Sequence, residues 1–471
     1  METHHSTVSS SGLSPKPETI EIHTIQQISE QDRHGRAKDL FTIWFGSNIM
    51  VLTIFTGSLA HTLFGLSFWA SIVSLVIGHL TGAIFMALHS AQGPQLGVPQ
   101  MIQTRGQFGS YGSLFVVSIV VLMYLGFFAS NAVLGGQTLN VLTQSLSVNS
   151  GIVCISVVSL VAAIIGYRLI HLYGSALSYA SGLAILVIFS LIIFKGQVPS
   201  NFFQIGNSSM VGILGTISIA ALWQLAYAPY VSDYSRYMPK DTGAKTAFWA
   251  SYWGCSLGSL LPMILGVIVA ISVTGDDIIS GILSLTGNSP LALIAIGIFT
   301  LGIACTNAMN LYCGSMSTVT VIQTLIPRFN PSIKTRTFTC IALFLLTLVV
   351  AIWGKDNFLV NYANFIYILL YVLVPWTAIN LVDYYLLEHG KYDVASFFKR
   401  DGGIYGKFNL VALFSYIIGI VVQIPFMSTE LYTGTIASAL DGADIAWIVG
   451  LIVVTPVYYV LAKMRKNLAN D

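Results

Sequence analysis

The sequence predicts an all-α membrane protein of twelve transmembrane helices. Three observations carry that expectation. Hydrophobic residues make up 55% of the chain and charged ones 8%, with a mean hydropathy of +0.77, whereas soluble domains are about 25% charged. Apolar runs of about twenty residues, the length that crosses a hydrocarbon core of about 30 Å, recur along the whole chain. Finally, 19 of the 21 Lys and Arg residues fall in the tails and alternate connections, leaving Lys195 and Lys355 for the other side.

Taken in order, the candidate spans lie near 40–61, 66–90, 112–140, 150–167, 174–194, 211–232, 246–273, 289–313, 338–353, 358–382, 409–427 and 445–462. Residues 1–38 read as a polar N-terminal tail, 39–463 as one transmembrane domain and 464–471 as a C-terminal tail. Within the domain, repeats of about 40–194 and 211–382 precede the two last helices, 409–462. An even number of spans puts both termini on one side, and short-loop Lys and Arg residues stay in the cytoplasm. Both termini are therefore expected inside, in the cell membrane.

Two uncharged stretches need separate treatment. Residues 290–326 would reach about 55 Å as one helix, at about 1.5 Å per residue, more than a straight crossing needs. The charge count favours one span followed by a short cytoplasmic or in-plane helix. The segment "GPQLGVPQMIQT", 93–104, has the Gly and Pro content of irregular backbone, which membranes tolerate only against protein. The five cysteines lie inside apolar runs with no C-x-x-C pair, so neither a disulfide framework nor a zinc site is indicated. Nothing marks a cofactor or nucleic-acid site.

All Asp, Glu, Lys and Arg residues fall in tails, loops or span ends. A voltage sensor or mid-membrane carboxylate relay would need such groups deeper, and an enzyme would need an acid–base or metal constellation. A substrate held at the midplane should then be neutral. The polar groups left inside are amides, hydroxyls and aromatics. Span one carries Gly46, Ser47 and Asn48, poor helix formers together. Span three places Phe127 and Asn131 on one face, four residues apart. Span six has Trp223 and Gln224, then Ala228-Pro229, and closes on Asp233 and Arg236. Span eight places Thr306 and Asn310 on one face, with Asn307 beside them.

Taken singly, an intramembrane Asn commonly joins helices and a Trp commonly packs. The conjunction is more telling, because helix-breaking sequence occurs at corresponding places in spans one and six. That pairing points to a transporter site built from interrupted helices. Faces of Phe127 and Trp223 would sandwich a flat heterocycle, and Asn131, Asn310 and Gln224 offer donors and acceptors to its edge.

At these residues the chain resembles the nucleobase:cation symporters of the first class, the purine–cytosine permease family. The resemblance covers roughly residues 30–465. It rests on "WFGSNI" (44–49), "GVPQMIQTRGQFGSYGS" (97–113), "GFFASNAVLGGQ" (126–137) and above all "WQLAYAPYVSDYSRYMP" (223–239). It implies a five-plus-five inverted repeat of the LeuT type with discontinuous helices one and six, alternating access, and import of nucleobases or related rings. By the same resemblance Phe127, where members commonly have Trp, and Asn131 contact substrate. So do Trp223 and Asn310 or Asn307, with Ser47 and Asn48 at the site's edge.

Sodium-coupled members hold the ion with span-one carbonyls, here around Gly46, and adjacent Ser-Thr hydroxyls on span eight. Those positions read here as Cys305 and Thr306, and a thiol is a poor ligand for a hard cation. Proton coupling gains weight accordingly, with Asp39, Asp233, His61 or His79 as carriers. For His79 the plainer reading is a neutral, hydrogen-bonded histidine. Asp233 and Arg236 read as an inner-gate ion pair or simply as solvated charges. The expectation is a monomer in the lipid bilayer that imports a neutral purine or cytosine with a proton. The alternative is a sodium-coupled carrier of allantoin, a hydantoin or a thiamine-precursor pyrimidine.

Overall fold

A computed structural model describes residues 25–470 apart from 196–197, 205, 207, 274, 276 and 327; residues 1–24 of the predicted tail lie outside the described residues. The first half contains α1 (Ala37–Asn48), α2 (Val51–Thr62), α3 (Phe68–Ser90), the short α4 (Gly93–Leu96) and α5 (Gln100–Phe108). It continues with α6 (Ser113–Thr143), α7 (Val148–Ile165) and α8 (Tyr167–Lys195). The second half contains α9 (Met210–Leu225), α10 (Ala228–Ser235), α11 (Ala244–Ser272), α12 (Ile278–Leu285), α13 (Pro290–Leu325), α14 (Ile333–Gly354) and α15 (Phe358–Leu381). The chain ends with α16 (Leu410–Val421), α17 (Thr435–Ala439) and α18 (Ala446–Asn470).

Among the described residues nine helical stretches are long and apolar enough to cross a membrane, ten when the bent pair α1–α2 counts as one. One of the nine, Ile333–Leu387, holds both α14 and α15, and Leu410–Phe426 is a shorter apolar helix. These elements fall in the order of the expected windows.

Packing repeats between the halves. The second span, α3, lies along α9 of span six, and the seventh, α11, lies along α1 and α2 of span one. Likewise α7 packs on α13 while α14 packs on α6, and α6 and α13 pack on each other. Exchanging span n with span n+5 maps each of these contacts onto another, as an inverted repeat requires. Glycines four residues apart make the symmetric contacts close. A Cβ on Gly78 or Gly82 would stand 2.5 Å from Ile217 O or Ala221 O on α9. Its counterparts on Gly254 and Gly258 would stand 2.7 and 2.6 Å from Phe41 O and Phe45 O on α1. Small residues at four-residue spacing let membrane helices approach at backbone distance.

The two breaks are unequal. α1 and α2 meet at 61° across Ile49-Met50, where the Asn48 side chain donates back to Trp44 O at 2.7 Å. Span six is interrupted at Ala226-Tyr227 but remains close enough to straight to read as one stretch, Met210–Ser235. Pro229 has no N–H to give Leu225 O, so the ladder stops there without a sharp bend.

Three expectations change. The tail is docked from Ile25 onward: Ile25 and Ile28 are buried, and Ile28 N donates to Gly97 O at 2.9 Å. Residues 93–104 are buried as expected, but as helices α4 and α5 hinged at Gly97, which sits at φ +68°. Span eight has no separate in-plane helix; α13 is unbroken over 36 residues, and α5 packs against its end. Trp249 and Trp253 are half-exposed and Trp353 is exposed.

Candidate functional site

Both breaks and both amide-bearing helices converge on one small cavity. Phe127 and Asn131 of α6 border it, with Trp223 and Tyr230 of span six and Thr306 and Asn310 of α13. Met50, Ala226 and Tyr227, from the two breaks, complete the wall. The void itself is about 10 Å³, room for no more than one water, so its walls must part to take a ring. Phe127 and Trp223 form a corner, ring centres 6.3 Å apart and planes at 80°, rather than the expected sandwich.

Asn307 sits behind this wall and fixes its polarity. Its Nδ2 donates to Phe128 O at 3.1 Å; a backbone carbonyl only accepts, so Asn307 Oδ1 must be the acceptor of that amide. It accepts from Asn131 Nδ2 at 3.0 Å and from Asn310 Nδ2 at 3.3 Å. Asn131 is thereby left with its carbonyl oxygen buried and without a partner. Asn310 Oδ1 takes the Tyr230 hydroxyl. A residue of the cavity wall, Asn131, thus carries an unpaired buried acceptor close to the aromatic corner.

Asn48 and Gln224 stand behind Trp223 rather than in the cavity. The Trp223 indole N–H donates to Asn48 Oδ1 at 2.8 Å, and Ser259 Oγ donates to the same oxygen at 2.9 Å. Gln224 points toward α3 and α11, where its Nε2 donates to His79 Nδ1 at 2.8 Å. This departs from the expected substrate contact, because Gln224 follows Trp223 by one residue, about 100° around the helix. His79 is fully buried, with Nε2 3.1 Å from Met263 Sδ, the surroundings of a neutral packed histidine.

At the place where the sequence resemblance would put a sodium ion, Thr306 Oγ1 donates directly to Ser47 O at 2.7 Å. The Ser47 side chain turns back to Trp44 O. A Cβ on Gly46 would meet Ser178 of α8 at 2.8 Å, so Gly46 serves close packing. Cys305 is buried and faces Gly174 of α8.

Toward α5 the cavity is closed by Tyr124, whose ring meets Tyr230 edge-on at 4.6 Å and whose hydroxyl donates to Pro229 O at 3.0 Å. Below it Asp233 and Arg236 are buried, not solvated at a rim. Asp233 Oδ1 accepts from Gln100 N at 2.8 Å, and Arg236 Nε donates to Asp233 O at 3.2 Å. In the other direction, one turn along α2 and α6, lies a cavity of about 330 Å³ bordered by Val51, Leu134, Gln137 and Asp277. Sequence reasoning passed over Met50, Tyr227 and Tyr230. The signal for the tyrosines was present, since 223, 227 and 230 share a helical face, but attention went to Gln224 and to the break at Ala228-Pro229.

Interrupted helices around a central cavity, in an inverted repeat, define a secondary transporter. The chain belongs to the permease family for cytosine/purines, uracil, thiamine and allantoin, whose family model matches residues 27–450. It is 40% identical over 448 residues to YxlA of Bacillus subtilis, which bears a provisional purine-cytosine permease name, covering 95% of this chain and 96% of that one. The purine-cytosine permease FcyB of Emericella nidulans is 26% identical over 87% of this chain and 81% of its own. The fold matches Mhp1, a nucleobase-cation-symport-1 family transporter solved closed with bromovinylhydantoin bound. The TM-score is 0.78 at 17% identity, over 95% of this chain and 96% of Mhp1. The inward-facing conformation of Mhp1 gives 0.71.

Proposed function

We propose that this protein imports neutral nucleobases, purines or cytosine, across the cell membrane by proton symport with alternating access. It acts as a monomer of twelve spans with both termini in the cytoplasm. The observation that carries the substrate reading is the free Asn131 carbonyl beside the Phe127–Trp223 corner. A ring N–H would satisfy that oxygen, and the aromatic faces would take the flat ring. Tyr230 and Asn310 lie at the same cavity to read the remaining edge. The names borne by YxlA and FcyB support the same substrate class.

Proton coupling is favoured by the Thr306–Ser47 hydrogen bond. A sodium ion between those two oxygens would need Thr306 to turn its hydroxyl proton away, and Cys305 supplies no second oxygen. Asp233, one turn beyond the cavity-lining Tyr230 and buried, is the carboxylate we assign to the proton. The second reading, a sodium-coupled carrier of allantoin, a hydantoin or a thiamine-precursor pyrimidine, is favoured by the likeness to Mhp1 and by the rings the family description names.

The test is uptake of labelled adenine, cytosine and allantoin into proteoliposomes. Sodium is replaced by choline in one arm, and a protonophore is added in the other. Proton coupling requires collapse under the protonophore and indifference to choline; the opposite pattern would overturn it.

A further inference from the structure

The motif "GVPQMIQTRGQFGSYGS" is not used up by the central cavity. Its Arg105, on α5, is 4% exposed. Nη1 donates to Phe397 O at 2.7 Å, and Nη2 donates to Thr320 O, Gln323 Oε1 and Thr324 Oγ1 at 3.1, 3.2 and 2.9 Å. All four acceptors are neutral, and Nε has no partner. Burial pushes the guanidinium down to about 10, so it stays charged at neutral pH. A buried cation held only by neutral groups is an arrangement that structures normally avoid by pairing it.

A cavity of about 100 Å³ adjoins it, bordered by Arg105, Ser110, Gln323, Thr324, Lys399 and Arg400. Three of these are cationic, and among the described residues no Asp or Glu borders it. Of the nearest acids of the same loop, Asp393 takes Ser396 Oγ and Ala395 N and lies close enough to Lys399 to feel its charge, and Asp401 takes Gly403 N. Ser110 Oγ is buried without a partner. Gly109, at φ +81° and packed against Lys407 O, makes the turn that sets Ser110 beside this loop; Ser110 N donates to Gly406 O at 3.1 Å.

We propose that this cavity, between α5, the end of α13 and the loop before α16, binds a phosphate group, borne by a soluble phosphate or by an anionic lipid headgroup. Three converging cations and a hydroxyl donor suit a tetrahedral oxyanion. The cavity is too small for a base and sugar as well. Its placement on the cytoplasmic face rests on the orientation proposed above, but the binding itself does not. An anion here ties the far end of α13, the helix that carries Thr306 and Asn310, to α5 and the loop, and so stabilises the fold.

The experiment is thermal unfolding of the full-length protein. One arm titrates inorganic phosphate in neutral detergent against chloride at matched ionic strength. The other compares phosphatidylcholine nanodiscs with and without phosphatidylglycerol. Because Arg105 also holds Phe397 and α13, Arg105→Gln is open to misfolding. Ser110→Ala and the pair Lys399→Gln/Arg400→Gln therefore carry the test, and each should weaken apparent affinity about tenfold or more. A saturable rise with phosphate, weakened in these variants, identifies a soluble ligand; a rise confined to phosphatidylglycerol, likewise weakened, identifies a lipid. Equal effects of chloride and phosphate with no gain from phosphatidylglycerol, or variants that respond like wild type, overturn the proposal.

Discussion

Asn131→Ala is the sharpest probe of the cavity. The substitution removes an unpaired acceptor of the wall, and with it the partner we assign to a ring N–H. Asn307 Oδ1 loses one donor but keeps Asn310 Nδ2 at 3.3 Å, so no second buried group is orphaned. The expected loss is then that of one buried donor left unpaired, about 1–3 kcal/mol. That corresponds to a dissociation constant raised about 5- to 150-fold. Equilibrium binding of labelled adenine or cytosine to purified protein measures it. A second ligand makes the assignment specific. For the wild type, a base N-methylated at the recognised ring position should bind weaker by a comparable factor, beyond the cost of fitting the methyl group. In Asn131→Ala that discrimination should shrink by the same factor, because the oxygen that enforces it is gone. Affinity within about twofold of wild type, or unchanged discrimination, would refute the reading of Asn131.

Other expectations follow from the same geometry. Gln224→Ala should leave base affinity within about threefold, because Gln224 contacts His79 rather than the cavity; a loss as large as that of Asn131→Ala would return Gln224 to the site. Thr306→Val removes the donor to Ser47 O and should lower thermal stability by about 1 kcal/mol without creating sodium dependence, checked by melting and by uptake in choline. Gly266→Ala places a Cβ 1.9 Å from Ile54 O. Backbone must move, and a destabilisation of about 1–3 kcal/mol should appear as a lower melting temperature in detergent; a wild-type melting curve would contradict the close α2–α11 contact. Asp233→Asn should abolish the pH dependence of uptake, and its persistence would exclude Asp233 as proton carrier.

Much of this architecture was legible in the chain. The order and length of the spans followed from apolar runs, because a bilayer imposes one length on every crossing. The breaks were marked by Gly46-Ser47-Asn48 and Ala228-Pro229, whose backbone preferences are local. The i, i+4 pairs Phe127/Asn131 and Thr306/Asn310 needed only helical geometry to share a face, and each pair borders the cavity. Harder to read was which face of an apolar helix looks inward. Span six is apolar on all sides, so its pattern could not separate Gln224, which turns to α3 and α11, from Tyr227 and Tyr230, which turn to the cavity.

Charge at helix ends misled in a different way. Asp233, Arg236 and Arg105 sit beside breaks and turns, where side chains are ordinarily solvated, yet all three are buried. Asp233 and Arg236 are covered by α4 and α5, and Arg105 by the end of α13 and the loop before α16, contacts that span up to hundreds of residues of sequence. The length of α13 was obscured for the same reason: only its packing against α5 and the Arg105 contacts with Thr320 and Thr324 show what supports the far end of a 36-residue helix.

By itself, then, the sequence determined the membrane class, the order of the spans, the two interrupted helices and the amide and aromatic residues of the cavity. Those properties rest on hydropathy, backbone propensity and helical spacing, which act over a few residues. The tertiary structure decided which atom each amide presents. Asn307, held by Phe128 O, turns two ambiguous asparagines into one free acceptor and one taken by Tyr230. That choice depends on a backbone carbonyl from another helix, and no local pattern encodes it.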